Sequence, residues 1–142
     1  MIDLGGPECK VFPRLLVAGE GREVLRMARL LLVDDDPVVR ELLVTTLDFG
    51  EHELEQAADG PSALASFVRR AADVVVLDLD LPGMDGVEIL ARLRELGAPR
   101  VVVLTGAGRG REPLLRSLGA FGYLTKPFSP LALVSEIEAA LA

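Results

Sequence analysis

In Arg29-Leu30-Leu31-Leu32-Val33-Asp34-Asp35-Asp36-Pro37, an unbroken apolar run stops at three carboxylates and a proline. A strand with one wet face alternates apolar and polar side chains. Leu30–Val33 does not alternate, so it reads as a strand covered on both faces. Asp36 and Pro37 then supply a helix N-cap and a proline at the first helical position, where its missing N–H has no partner to lose. A buried strand therefore leads through an acidic turn directly into a helix.

Outward from this start the pattern repeats. The first helix carries Val38, Leu42, Thr45 and Phe49 along one side, and Gly50 stops it. Glu53–Ala57 alternates weakly, as an edge strand does. Asp59-Gly60-Pro61 opens a second helix through Ala63, Leu64, Phe67 and Val68. Asp73–Leu77 is a buried strand that runs into the acidic, glycine-bearing loop Asp78–Gly86. A third helix, Val87–Leu96, aligns Val87, Leu90 and Leu93 and ends at Gly97. Val101–Leu104 and Phe121–Leu124 are further strands, separated by a short helix over Pro113–Leu118, and Ser129-Pro130 caps a last helix. Five strands alternating with five helices predict a doubly wound α/β fold, a parallel sheet with helices on both faces. Ligands of such sheets sit beyond the carboxyl ends of the strands.

The chain has 142 residues, 15 Lys+Arg against 22 Asp+Glu, and a net charge of −7. That length suits one domain. With 4% aromatic residues and no Trp the core must be aliphatic. The acidic balance argues against a nucleic-acid partner, since phosphate neutralisation needs clustered Lys and Arg. A lone cysteine, Cys9, excludes an internal disulfide and fits a reducing, cytoplasmic setting. No apolar run approaches the ~18 residues of a membrane span, so no membrane insertion is expected. Residues 1–26 stand apart: four acids balance four bases, and Gly5-Gly6-Pro7, Pro13, Gly19 and Gly21 interrupt any regular element. Two readings of this extension stay open. Met27 is the natural start and the leader a mis-called or disordered piece, or the leader packs on the domain with Val24 and Leu25 on a short helix. The domain itself is 27–142.

Polar groups collect at the strand ends. Strand one runs into Asp34-Asp35-Asp36, strand three into Asp78, strand four into Thr105 and strand five into Lys126-Pro127. In a parallel sheet these converge on one rim. Clustered carboxylates raise one another's pKa unless a cation intervenes. Oxygen ligands of this kind suit Mg²⁺, which keeps some waters and binds substrate phosphate. Lys126 adds a second positive centre, and a carboxylate so placed can itself become the nucleophile of an acyl phosphate.

Four stretches resemble the receiver domain of two-component response regulators, the chemotaxis-regulator-like fold. They are Leu31-Leu-Val-Asp-Asp-Asp-Pro37, Val76-Leu-Asp-Leu-Asp-Leu-Pro-Gly-Met-Asp-Gly86, Val103-Leu-Thr105 and Tyr123-Leu-Thr-Lys-Pro-Phe128. They fall in the family's order across Met27–Ala142, which reads as a stand-alone receiver. The resemblance implies a flavodoxin-like strand order, 2-1-3-4-5, with Asp78 as phosphoacceptor. It implies Mg²⁺ held by Asp35 and Asp78 directly, by Asp34 through water, and by the Asp80 backbone carbonyl. Thr105 and Lys126 would contact the phosphoryl group, Thr105 and Tyr123 would form the switch, and the Lys126–Pro127 bond would be cis. Asp80 and Ala107 take the two positions that tune hydrolysis. Implied partners are a histidine kinase or histidine phosphotransfer protein, a downstream effector, and a second copy through the fourth and fifth helices. The chain would catalyse only its own phosphorylation and dephosphorylation.

Plainer readings stand beside these. The aspartate triplet could serve only as a cap and dipole partner. Tyr123 could be a half-buried strand aromatic, and His52, with no second ligand near it, a surface residue. Arg109 and Arg111 read as solvated, or as an attraction for small phosphodonors. Leu131, Leu133, Val134, Ile137, Ala140 and Leu141 wrap more than one face of the last helix, and with Leu114, Leu115 and Leu118 they predict an exposed docking patch. Two rival functions remain: a haloacid-dehalogenase-like phosphatase using Asp78 and Asp80, whose motif order differs from this one, and a phosphorylation-independent pseudo-receiver.

Overall fold

The computed structural model describes residues 28–48, 52–106 and 112–142. The elements alternate without exception: β1 (Arg29–Val33), α1 (Pro37–Leu47), β2 (Glu53–Ala57), α2 (Gly60–Arg69), β3 (Val74–Asp78), α3 (Gly86–Glu95), β4 (Val101–Thr105), α4 (Glu112–Ser117), β5 (Gly122–Thr125) and α5 (Pro130–Leu141). The five strands form one sheet in the order β2-β1-β3-β4-β5, with every neighbouring pair parallel. The leader with Cys9, the stop at Phe49-Gly50, and Ala107, Arg109 and Arg111 lie outside the described residues.

The side-chain period of two divides the aliphatic strands between two cores. Leu31, Val33, Val75, Leu77, Val101 and Val103 face Ala63 and Phe67 of α2, Ile89, Leu90 and Leu93 of α3, and Leu115 of α4. Leu30, Leu32, Val74, Val76, Val102 and Leu104 face Leu43 and Leu47 of α1 and Leu133, Ile137 and Ala140 of α5. Each fully buried Leu or Val side chain contributes roughly 1.5–3 kcal/mol, which is why β1, β3 and β4 need no polar residue inside them.

Helix starts follow the sequence. Asp36 Oδ1 accepts from Val38 N at 2.9 Å, Asp59 Oδ1 from Ser62 N at 2.8 Å, Asp85 Oδ1 from Val87 N at 3.0 Å and Ser129 Oγ from Ala132 N at 3.0 Å. Gly97 has φ +98°, the left-handed turn that ends α3. At Gly86 a Cβ would lie 2.6 Å from Leu79 Cα, so only glycine lets α3 start against the loop after β3.

Three expectations need correction. On α1 the stripe Val38, Leu42 and Thr45 faces solvent; Val38 is 72% and Leu42 42% exposed, and the helix buries Leu43 and Leu47 instead. Both stripes are apolar, and the one meeting Leu133 and Ile137 on α5 wins. The patch spread over α4 and α5 is also smaller than predicted. Leu115, Leu133, Ile137 and Ala140 belong to the cores, leaving Leu114 and Leu131 as the strongly exposed members. His52, read as a surface residue, is half-buried, and its Nδ1 accepts from Ala28 N, just before β1, at 3.3 Å. Among the described residues no helix is long and apolar enough to cross a membrane.

Candidate functional site: an acid–lysine cluster on the carboxyl-end rim

β1, β3, β4 and β5 end side by side, and their last turns deliver the polar groups to one place. Asp78 and Thr105 are the final residues of their strands, because the ladder continues through them: Asp78 pairs with Leu104 and Thr105 with Thr125. Their backbones are therefore held by the sheet, a firmer base than a loop. Lys126 follows β5, its N–H donating to Thr105 O at 2.8 Å, and the Lys126–Pro127 bond is cis.

Lys126 Nζ lies 3.1 Å from Asp34 Oδ2 and 3.1 Å from Asp78 Oδ2. The second oxygens are also committed. Asp34 Oδ1 accepts from Asp36 N at 2.9 Å, and Asp78 Oδ1 from Asp80 N at 2.9 Å. Asp34 is fully buried and Asp78 is 2% exposed, whereas Asp35 is exposed at the mouth. Burial, with the Asp34 charge adding to it, pushes the Asp78 carboxyl above its ordinary value despite the Asp80 N–H and Lys126. Burial alone would lower Lys126, but its hydrogen bonds to Asp34 and Asp78 outweigh that and hold its ammonium above the usual lysine range.

Asp34, Asp35 and Asp78 each offer a carboxylate oxygen within 4.8 Å of the others. Three hard oxygen donors facing one ammonium leave an excess of negative charge, so this donor set fits a divalent cation such as Mg²⁺. Thr105 is buried at the end of β4. Tyr123 is half-buried, packs on the core facing α2, α3 and α4, and has the Arg116 guanidinium 5.7 Å from its ring centroid.

Sequence reasoning missed one member of this rim, and one bond made by another. Arg40, one turn into α1, donates from a guanidinium nitrogen to Asp34 O at 2.8 Å and so steadies the acidic turn. Its spacing from Asp36 was the only signal, and a helical arginine reads as solvated. Asp80, named from the sequence as a backbone-carbonyl ligand and tuning position, also bonds the end of β4 with its side chain: Asp80 Oδ2 accepts from Gly106 N at 2.9 Å. Beside the cluster lies a groove of about 340 Å³ lined by Val39, Leu42, Lys126, Pro127 and Phe128.

A sheet of this order with such a cluster on its rim defines a flavodoxin-like α/β protein with adjoining places for a cation and an anion. The family described as the response regulator receiver domain matches residues 30–138. The sensory transduction protein RegX3 of Mycolicibacterium smegmatis is 37% identical over 116 residues, covering 81% of this chain and 51% of RegX3. The transcriptional regulatory protein TrcR of Mycobacterium tuberculosis is 36% identical over 135 residues, covering 91% of this chain and 52% of TrcR. That is more than the portion from Ala28 onward supplies, so the similarity reaches into the leader. The crystallised chemotaxis protein CheY4 of Vibrio cholerae superposes with a TM-score of 0.74 at 32% identity, over 80% of this chain and 98% of that one. This chain belongs to the response regulator receiver domain family, the phosphoacceptor switches of two-component signalling. It spans about half the length of the curated relatives it matches.

Proposed function

We propose that the chain accepts a phosphoryl group on Asp78 in an Mg²⁺-dependent reaction and passes the signal on by protein–protein contact. The observation that carries this reading is Lys126 Nζ at 3.1 Å from both Asp34 and Asp78. Burial beside a second carboxylate disfavours the Asp78 anion despite its bonds to Lys126 and Asp80 N, and so makes it more nucleophilic than a solvated aspartate. A carboxylate oxygen of Asp78 attacks phosphorus, the donor's P–N or P–O bond breaks, and the leaving group departs with its electron pair. The product is an acyl phosphate on Asp78. Asp34, Asp35, Asp78 and the Asp80 carbonyl would hold Mg²⁺, which when bound neutralises phosphoryl oxygens and relieves their repulsion with the carboxylates. Lys126, kept charged by its two partners, meets the same oxygens, and Thr105 contributes its hydroxyl. Thr105 and Tyr123 form the switch that reads the new charge, while Asp80 and Ala107 tune hydrolysis.

The donor is a histidine kinase or a histidine phosphotransfer protein. The groove beside Lys126, lined by Val39, the exposed Leu42, Pro127 and Phe128, offers an apolar landing surface next to the residue that contacts Asp78. The effector, or a second copy, meets the face of α4, β5 and α5 around Leu114 and Leu131. The setting is cytoplasmic, and the only chemistry catalysed is the chain's own phosphorylation and its reversal. The haloacid-dehalogenase reading is not favoured: the motif order differs, and Asp80 Oδ2 accepts from Gly106 N.

Acetyl phosphate with Mg²⁺ tests the reading. Intact-mass spectrometry is expected to show one phosphoryl group on the wild type, none without Mg²⁺ and none on Asp78→Asn. Equal incorporation into Asp78→Asn would overturn the assignment. A shift to earlier elution in size-exclusion chromatography with beryllofluoride is expected if the second-copy face is used.

A further inference from the structure

We infer that Arg40 and Gln56 form a brace that sets the cation affinity of the rim by holding the peptide plane on which Asp35 is mounted, which makes Arg40 a positioning residue for Mg²⁺. The inference rests on the proposal that Asp34, Asp35 and Asp78 hold that ion, and it names what keeps the exposed one of the three in place.

The three carboxylates are not held alike. Asp34 and Asp78 are buried, and each has one oxygen 3.1 Å from Lys126 Nζ. The Asp35 side chain is exposed and, among the described residues, makes no hydrogen bond of its own. Its place is therefore set by its backbone, whose two flanking peptide planes are each held at one end. A peptide unit is planar, so fixing its oxygen also fixes its N–H and the direction of the next Cα. The plane between Asp34 and Asp35 is held at its oxygen, which accepts from Arg40 Nη1 at 2.8 Å. The plane between Asp35 and Asp36 is held at its nitrogen, which donates to Asp34 Oδ1 at 2.9 Å.

Arg40 is aimed in turn by β2. Its Nε donates to Gln56 Oε1 at 3.2 Å. Gln56 pairs with Leu32 in the ladder, and the next residue, Ala57, accepts from Asp34 N at 3.1 Å through its carbonyl. The Arg40 backbone N–H donates to Asp36 O at 3.0 Å, so α1 holds one end of the side chain and β2 the other. A guanidinium is planar and offers two nitrogens to two acceptors in a fixed relation, which the single nitrogen of a lysine does not. Removing a group that orients a metal's ligand, without itself touching the metal, typically costs about 10–100-fold in affinity. The guanidinium charge acts the other way, since a cation beside the site repels Mg²⁺. Positioning and charge thus predict opposite signs for the loss of Arg40.

Titration of the ¹⁵N-labelled full chain with MgCl₂, followed by the amide resonances of the rim, reads the affinity without any phosphorylation. Arg40→Ala is expected to weaken Mg²⁺ about tenfold, and Arg40→Lys, which keeps the charge, to remain about fivefold weaker than the wild type. Gln56→Leu, on a strand that gives the site no ligand, is expected to weaken it about threefold, the worth of a modest hydrogen bond. Gln56→Glu keeps an oxygen for Arg40 and is expected to bind at least as tightly as the wild type. A merely structural part for Arg40 would lower Tm in EDTA and leave the Mg²⁺ midpoint where it is. The brace is overturned by unchanged or tighter binding in Arg40→Ala, by unchanged binding in Gln56→Leu, by full recovery in Arg40→Lys, or by Gln56→Glu weakening Mg²⁺ as Gln56→Leu does. Failure of the cation reading would look different: the wild type itself would show no Mg²⁺-dependent shift, whereas failure of the brace leaves wild-type binding, and its loss in Asp35→Asn, intact.

Discussion

At the amino ends of β1 and β2, Arg29 meets Glu53 and Glu55; at the opposite end of the sheet, Lys126 meets Asp34 and Asp78. The first cluster is closed. Arg29 contacts Glu53 at 2.9 Å and also Glu55, Arg70 contacts Glu53 at 3.0 Å, and Arg69 contacts Glu55 at 2.8 Å. The Arg29 backbone N–H adds a bond to Asp73 at 2.8 Å. Three guanidiniums there answer two glutamates, on an edge strand whose charges also discourage pairing with another chain. The rim cluster is open, three carboxylates on one ammonium, with Asp35 exposed and making no hydrogen bond among the described residues. Charge that is matched internally holds the fold together. Charge that is left unmatched, and buried, is held ready for a ligand.

Removing a member from each end should therefore change stability in opposite directions. Arg29→Ala leaves Glu53 to Arg70 and Glu55 to Arg69, each with one partner fewer in a site about three-quarters buried, and is expected to cost about 1.5 kcal/mol, lowering Tm by about 6 °C in a thermal scan. A rise in Tm, or no change, would break the contrast. Mg²⁺ at ten times its Kd is expected to add about 1.4 kcal/mol to the wild type and nothing to Asp35→Asn, read by the same scan with and without EDTA. Asp78→Asn removes an anion that burial and the Asp34 charge disfavour, while Lys126 keeps Asp34, and is expected to raise stability by about 1 kcal/mol at neutral pH.

Acid titration sharpens the contrast with a smaller effect. Burial pushes Glu55 up, but the Ser66 hydroxyl beside it and the Arg29 and Arg69 guanidiniums outweigh that, so it sits below its ordinary 4.5. Its contribution is present above pH 4.5 and lost as pH falls through the folded value. Asp78 is shifted the other way from 3.8, so its contribution is present below pH 3.8 and lost as pH rises through the folded value. In urea melts between pH 3 and pH 7, the advantage of wild type over Glu55→Gln should grow with pH, while wild type should lose ground to Asp78→Asn. Parallel slopes would show that the two ends do not differ in this way.

The sheet was legible because β1, β3 and β4 are continuous aliphatic runs bounded by turn residues, and the rim because each run ends in a polar group. The face of α1 was not legible. Val38-Leu42-Thr45 and Val39-Leu43-Leu47 are both plausible stripes at helical spacing, and periodicity cannot rank them. The closed cluster was also hidden: Arg29, Glu53, Glu55 and Arg70 are 41 residues apart at their limits and read singly as solvated charges. Asp80 was placed at a tuning position, but its bond to Gly106 depends on how the loop after β3 is aimed.

Local pattern determined the order of elements, their caps, and which side chains stand at strand ends, because hydrogen-bonded periodicity and turn chemistry act over a few residues. Tertiary packing alone decided which apolar stripe of α1 is buried, which charges are matched, and that Lys126 lies between Asp34 and Asp78. Those outcomes depend on distances between residues up to 92 positions apart, and contacts of that range exist only once the strands lie side by side.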